Sequence, residues 1–185
     1  METMERNALL LKLIDKIVEI DGNTNEAYLQ KYVYILQELM EVPLNFEYIL
    51  YLNSPYSFYL PESLTSMQAD ELLSIEINRC TRPSYVSTEW GKRFQTRYPT
   101  TMSKYASEID FVVQYLCSHK IRLLGHVATT LFLERFKRNF SGPSDKLSLE
   151  LNKLMRATWN EPDEQARERF AYISSEWTGE PYSFA

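Results

Sequence analysis

The stretch from Leu29 to Ser57 constrains this chain more than any other. Leu29, Tyr32, Val33, Leu36 and Met40 recur at helical spacing, and Tyr28, Ile35 and Leu39 widen the apolar face. The spacing predicts a central helix that Thr24 or Asn25 caps and that runs to about Glu41, with Pro43 ending it. Asn45 to Tyr51 then alternates. Phe46, Tyr48 and Leu50 fall on one face, and Glu47, Ile49 and Tyr51 on the other, which predicts a strand. Ser54-Pro55-Tyr56-Ser57 breaks it, because a residue before proline is held extended and Ser57 is a reasonable helix cap. In this reading Tyr34 and Phe46 pack, Pro55 with Tyr56 fixes the strand exit, and Tyr51 and Tyr56 sit at the rim of a groove.

The rest of the chain reads as helices with one hairpin. Leu9, Leu10, Leu13, Ile17 and Ile20 predict a helix over Asn7–Ile20, stopped near Gly22. Phe58–Ile75 predicts one bent helix or two short ones, with Pro61 in the first turn and a possible restart at Ser66. A hairpin follows, from Ile77–Cys80 through Thr81-Arg82-Pro83-Ser84 to Tyr85–Ser87. Thr88 then caps a helix through Phe94. Helices are expected over Ser103–Ser118, Ile121–Phe136, Ser144–Thr158 and Glu161–Glu176, with a loosely held tail. The expected fold is mainly α with a small antiparallel β-sheet. Its winged-helix-like N-terminal core spans 1–99, and a C-terminal helical extension over 100–185 packs on it as one compact unit.

Composition narrows the function classes. Of 185 residues, 44% are apolar and 24% charged, the balance of an ordinary globular protein. Two cysteines, Cys80 and Cys117, make neither a disulfide framework nor a complete structural zinc site. No basic leader opens the chain, and no apolar run approaches the roughly 20 residues that span a bilayer, so a cytoplasmic protein with no membrane contact is expected. Thirteen Tyr and nine Phe supply rings for a core, or for a partner surface in which Tyr adds a polar tip.

The net charge of −5 conceals a segregation. Residues 1–76 hold 4 basic and 13 acidic side chains, whereas residues 77–138 hold 11 basic and 4 acidic. Either the basic middle serves an electrostatic partner, or the acidic front covers it within the fold.

No catalytic constellation stands out. His119 and His126 lie seven apart, where single-helix metal pairs use three or four, and no carboxylate cluster accompanies them. Gly91 and Gly142 are isolated and form no phosphate loop. No catalytic, cofactor-binding or metal residue is therefore assigned, although a site assembled by the fold alone stays an alternative. Nucleic-acid binding is a second alternative. The helix before the hairpin would enter the major groove of a winged-helix complex, yet Phe58–Glu76 carries Glu62, Asp70, Glu71 and Glu76 and no Lys or Arg. DNA contact would instead use the hairpin and the next helix through Arg79, Arg82, Lys92, Arg93 and Arg97.

The Leu29–Ser57 stretch resembles the YwgA-like proteins of bacteria and, more distantly, the Panacea-type (SocA-like) antitoxin domains. The resemblance is carried by Leu29-Gln30-Lys31, Val33-Tyr34, the aromatic run Phe46 to Tyr51, and Pro55-Tyr56-Ser57. Weaker matches are Tyr85-Val86-Ser87-Thr88-Glu89 with Gly91, and the Val127–Leu133 run. The pattern has Gly before the Pro, where this chain has Ser54. The resemblance implies a winged-helix-like fold and a role beside toxin–antitoxin or antiphage systems, and it supplies no catalytic residues. The expectation is a non-enzymatic, antitoxin-like or defence-accessory subunit whose partner is a toxin, a nuclease or an SMC-like ATPase subunit.

Overall fold

The computed structural model describes residues 1–20, 22–52, 54–77, 83–117 and 121–139. The two helices expected beyond residue 143, the tail, Cys80, Arg79, Arg82 and His119 lie outside the described residues. Among the described residues are seven helices: α1 (Thr3–Glu19), α2 (Glu26–Glu38), α3 (Tyr59–Ala69), α4 (Glu89–Gln95), α5 (Pro99–Lys104), α6 (Ala106–Leu116) and α7 (Ile121–Asn139). Four strands form two separate antiparallel hairpins. β1 (Ile49–Tyr51) pairs with β2 (Ser54–Tyr56), and β3 (Leu73–Glu76) with β4 (Ser84–Ser87). The mainly helical class with small antiparallel sheets is as the sequence predicts, and the element order is compatible with a winged-helix-like core.

Local chemistry explains the boundaries. α1 begins a turn earlier than its apolar residues indicate, because the Glu2 backbone N–H donates to the Glu5 carboxylate at 3.4 Å. It ends where the Ile17 carbonyl accepts from the N–H groups of both Ile20 and Gly22. Asn25 caps α2 by accepting from the Tyr28 N–H at 3.2 Å. α2 stops at Glu38, short of Pro43, and Glu41 and Asn45 take positive φ of 54° and 59° to turn the chain back.

Three expectations are corrected. The strand predicted over Asn45–Tyr51 pairs over Ile49–Tyr51 alone, since the Phe46 backbone is occupied by a side chain of α2. Ser54-Pro55-Tyr56 does not break the sheet but forms its second strand, with Pro55 opposite Leu50. Proline is tolerated in an edge strand of a two-stranded ribbon, where its missing donor disrupts no further ladder. Ser57 does not cap α3. Phe58 holds that position without a side-chain bond, while the Ser57 backbone bonds to α2.

α3 is a single helix that ends at Ala69 and is followed by β3, so Leu73 to Ile75 are strand and not a helical continuation. The stop is a Schellman turn. The Leu72 N–H bonds the Met67 carbonyl at 2.9 Å and the Glu71 N–H bonds the Gln68 carbonyl at 3.0 Å, with Glu71 at φ 59° where glycine is usual. The following hairpin accordingly begins at Leu73, four residues before the predicted Ile77.

α1 and α2 form the centre. Leu9, Leu10, Leu11, Leu13 and Ile14 are all buried, so α1 is covered on nearly every side: α4, α5 and β4 pack on it, as does α6. α2 packs on α6, α7 and β2. One apolar cluster joins Leu9 and Tyr32 of the first two helices with Val112 of α6 and Ala128 of α7, so the helical layer shares the core of the N-terminal part.

Thr88 and Gly91 seat α4 against the α3–β3 junction. Thr88 donates through Oγ1 to the Glu71 carbonyl at 2.6 Å and caps α4 by accepting from the Gly91 N–H at 2.9 Å. A Cβ on Gly91 would lie 2.2 Å from the Leu72 carbonyl oxygen, whereas one on Gly125 meets nothing nearer than Ser54 Oγ at 4.0 Å. Gly91→Ala is therefore expected to destabilise the fold by about 1–3 kcal/mol. Gly125→Ala is expected to stabilise it by about 0.5–1 kcal/mol through helix propensity. Urea unfolding of the two variants checks the opposite signs.

Candidate functional site

The separated pieces of the Leu29–Ser57 pattern meet in space through hydrogen bonds. Gln30 makes a two-way bond with the Ser57 backbone: its Nε2 donates to the carbonyl at 2.8 Å and its Oε1 accepts from the N–H at 2.9 Å. Seven residues on, Gln37 does the same to Phe46, donating at 3.0 Å and accepting at 2.8 Å. Each side-chain amide thus takes the place of a neighbouring strand, one before the β1–β2 hairpin and one after it. Lys31 adds a bond from Nζ to the Pro55 carbonyl at 3.1 Å. Tyr56 donates through its hydroxyl to Glu26 at 2.9 Å. On the far side, the Arg6 guanidinium stacks 4.5 Å from the Phe46 ring.

A cleft of about 520 Å³ opens between the first turns of α2, β2 and the β3–β4 hairpin. Glu26, Gln30, Lys31, Tyr56, Ile75 and Tyr85 line it. Lys31 is 9% exposed, and among the described residues no carboxylate lies within ion-pair distance of its Nζ. Burial lowers its pKa from the ordinary 10.5 to about 8. At the other end of the cleft, burial and the bond to Glu26 push the Tyr56 hydroxyl up to about 12. The Tyr85 hydroxyl is likewise raised, by burial and then by the Glu26 charge. Glu26 therefore sits among phenols and away from the ammonium.

Tyr51 and Tyr56 come together on one face of the β1–β2 hairpin, with ring centroids 5.7 Å apart. Phe58 completes the cluster at 6.0 Å from Tyr51 and 5.1 Å from Tyr56. Tyr51 and Phe58 are about half exposed, and Leu52 at the hairpin tip is 82% exposed. Of the two predicted rim residues, Tyr56 lines the cleft, while Tyr51 faces solvent beside it.

The basic candidates divide. Arg79 and Arg82 lie outside the described residues. Lys92 and Arg93 are exposed on α4 and Arg97 follows it. Lys92 pairs with Glu89 at 2.8 Å, and the Arg97 guanidinium stacks 5.1 Å from Trp90. The predicted acidic face of α3 is present, with Glu62 and Asp70 exposed. One ion pair among the described residues, Glu38 with Arg135, joins an acid of the front to a base of the middle. Lys16 reaches the other way, to Asp110 at 3.5 Å.

Two other titratable groups are partly buried. Burial pushes the Cys117 thiol up to about 11, away from the thiolate that a nucleophile needs. Burial and then Arg122 lower the His126 pKa. Among the described residues no group of three or more His, Cys, Asp or Glu is placed to hold a metal ion, and no helix is long and apolar enough to cross a membrane. A scan against protein-family models finds no match to the chain, and a search of curated proteins finds none either.

Gln30, Lys31, Gln37 and Glu26 were not among the site residues that the sequence suggests. A signal exists: Gln30 and Gln37 stand seven apart on a helix that is apolar on most sides, which places both polar groups where the chain packs, with Gln30 buried and Gln37 partly buried.

Two outcomes follow from this geometry. Gln30→Ala leaves the buried Ser57 N–H and carbonyl without their partner and is expected to cost about 2–4 kcal/mol by urea unfolding. Lys31 gives a pH effect of definite sign. Above about pH 8 the folded state has released a proton that the unfolded chain holds up to about 10.5, so stability from this group rises with pH through that window. It is lost as pH falls through about 8. Lys31→Met lacks this slope. Its melting temperature relative to the parent should fall between about pH 7 and about pH 10, as measured by circular dichroism.

Proposed function

We propose that the protein is a non-enzymatic interaction subunit that presents the β1–β2 hairpin to a protein partner. The observation that carries this reading is the Tyr51–Tyr56–Phe58 cluster: three rings in mutual contact, two of them half exposed, on a hairpin fixed at both ends by α2. Exposed aromatic anchors on a rigid support are what interface hot spots consist of, because little side-chain or loop entropy remains to be lost on binding. The acidic surface of α3 next in sequence, with Glu62 and Asp70 exposed, favours a partner whose face is apolar and basic.

The resemblance of Leu29–Ser57 to YwgA-like and Panacea-type proteins directs the choice of partner. It favours an antitoxin-like or defence-accessory role in the cytoplasm of a bacterium, opposite a toxin, a nuclease or an SMC-like ATPase subunit. Coexpression with the product of the neighbouring gene tests this. Tyr51→Ala and Phe58→Ala are each expected to weaken the complex at least tenfold, with unchanged circular dichroism melting, in isothermal titration. Binding that is indifferent to both changes would refute the docking face.

A second reading has its own support. Trp90, Lys92, Arg93 and Arg97 lie together on and just after α4, so a basic and aromatic face is presented beside the second hairpin. A DNA-binding regulator would use it, with α3 held away from phosphate by its acids. Salt-sensitive binding to duplex DNA that Arg93→Ala and Arg97→Ala weaken would favour this reading over the first.

A further inference from the structure

We propose that the cleft between α2, β2 and the β3–β4 hairpin is a binding site for a small apolar α-amino acid, whose carboxylate pairs with Lys31 and whose ammonium pairs with Glu26. This site adjoins the exposed Tyr51–Phe58 face through Tyr56, but the proposal does not depend on the partner reading.

Lys31 holds one end of the cleft. Lys31 as a residue is only 9% exposed and its ammonium bonds to one backbone carbonyl, so among the described residues most of its hydrogen-bonding capacity and its charge go uncompensated. Burial of a lone ammonium is destabilising, and the lowered pKa expresses that cost. A carboxylate entering the cleft supplies the missing counter-charge in a site of low dielectric, where the pairing is strongest. The free-state cost is then relieved by the ligand.

Glu26 sets the other end. It lines the same cleft, accepts from the Tyr56 hydroxyl, and has no basic partner among the described residues. A ligand bearing negative charge alone would meet it with repulsion, and a dianion such as phosphate more so. A ligand bearing an ammonium as well satisfies both ends. Both residues line the one cleft without pairing with each other, which leaves room between them for a ligand that carries both charges. The side chain of the ligand then meets Ala27, Ile75, Pro83 and Tyr85. The volume, about 520 Å³, is within the range of small-molecule sites.

The test uses the full chain with leucine and phenylalanine as probes. The comparators are their desamino acids (4-methylpentanoate and 3-phenylpropanoate), their decarboxylated amines (isoamylamine and phenethylamine), and inorganic phosphate. At least one of the two amino acids should raise the melting temperature saturably, and its two analogues and phosphate should bind at least about tenfold more weakly. Lys31→Met and Glu26→Gln should each weaken the amino acid at least about tenfold. Glu26→Gln keeps an acceptor for the Tyr56 hydroxyl, so it reports on charge even if Lys31→Met fails to fold. In NMR titrations of the parent chain, the Lys31 ammonium should titrate at higher pH when the amino acid is bound. The proposal is overturned if neither amino acid stabilises the protein. It is equally overturned if the analogues or phosphate match the amino acid, or if Glu26→Gln binds as the parent does.

Discussion

The bonds from α2 side chains to the backbone on either side of the first hairpin are what the rest of the front half depends on. A two-stranded ribbon of three residues per strand is not stable by itself in water. Here Gln37 holds the chain at Phe46, Gln30 holds it at Ser57, and Lys31 reaches the strand between them at Pro55. The hairpin is thereby treated as though a third strand were present, although its neighbour is a helix. The spacing of seven between the two glutamines places both on one side of α2, so the helix face and the hairpin run alongside each other. The same device recurs once more: Thr24 exchanges two hydrogen bonds with the Tyr85 backbone and ties β4 to the turn before α2.

This arrangement brings the separate segments of the Leu29–Ser57 stretch together. Leu29-Gln30-Lys31 and Pro55-Tyr56-Ser57 are 24 to 27 residues apart along the chain and in direct hydrogen-bond contact in the fold. Tyr34 of the same pattern is buried against Tyr48, with ring centroids 4.7 Å apart, and Phe46 is held between Gln37 and Arg6. The pattern is therefore first a means of holding a hairpin, which exposes the Tyr51–Phe58 face and helps enclose the cleft at Lys31.

Helices that rely on apolar spacing were legible. α1, α2, α4, α6 and α7 are found where Leu, Ile, Val and capping Asn25 and Thr88 place them, with boundaries displaced by a few residues. What escaped was backbone geometry that side-chain types do not announce. Glu71 adopts the left-handed conformation usual for glycine, so the end of α3 looked like helix continuing to Ile75. Pro55 read as a strand breaker, yet sits in an edge strand that asks for no donor there. The site is less legible than the fold, because Gln30, Gln37 and Lys31 are polar residues in a helix and look like solvent-facing positions until their backbone partners are known. Tyr51 and Tyr56 are readable as a pair, but Phe58, which completes their cluster, reads from sequence as the start of a helix.

The most direct measurement of this account is amide hydrogen exchange at Phe46 and Ser57. Neither amide has a helix or sheet partner, so the hydrogen bond that protects each comes from a glutamine. Both should exchange as slowly as the interior amides of α2. Gln37→Ala should release Phe46 and leave Ser57 slow, and Gln30→Ala should do the reverse. Fast exchange at both positions in the parent chain, at the rate of exposed loop amides, would contradict the account.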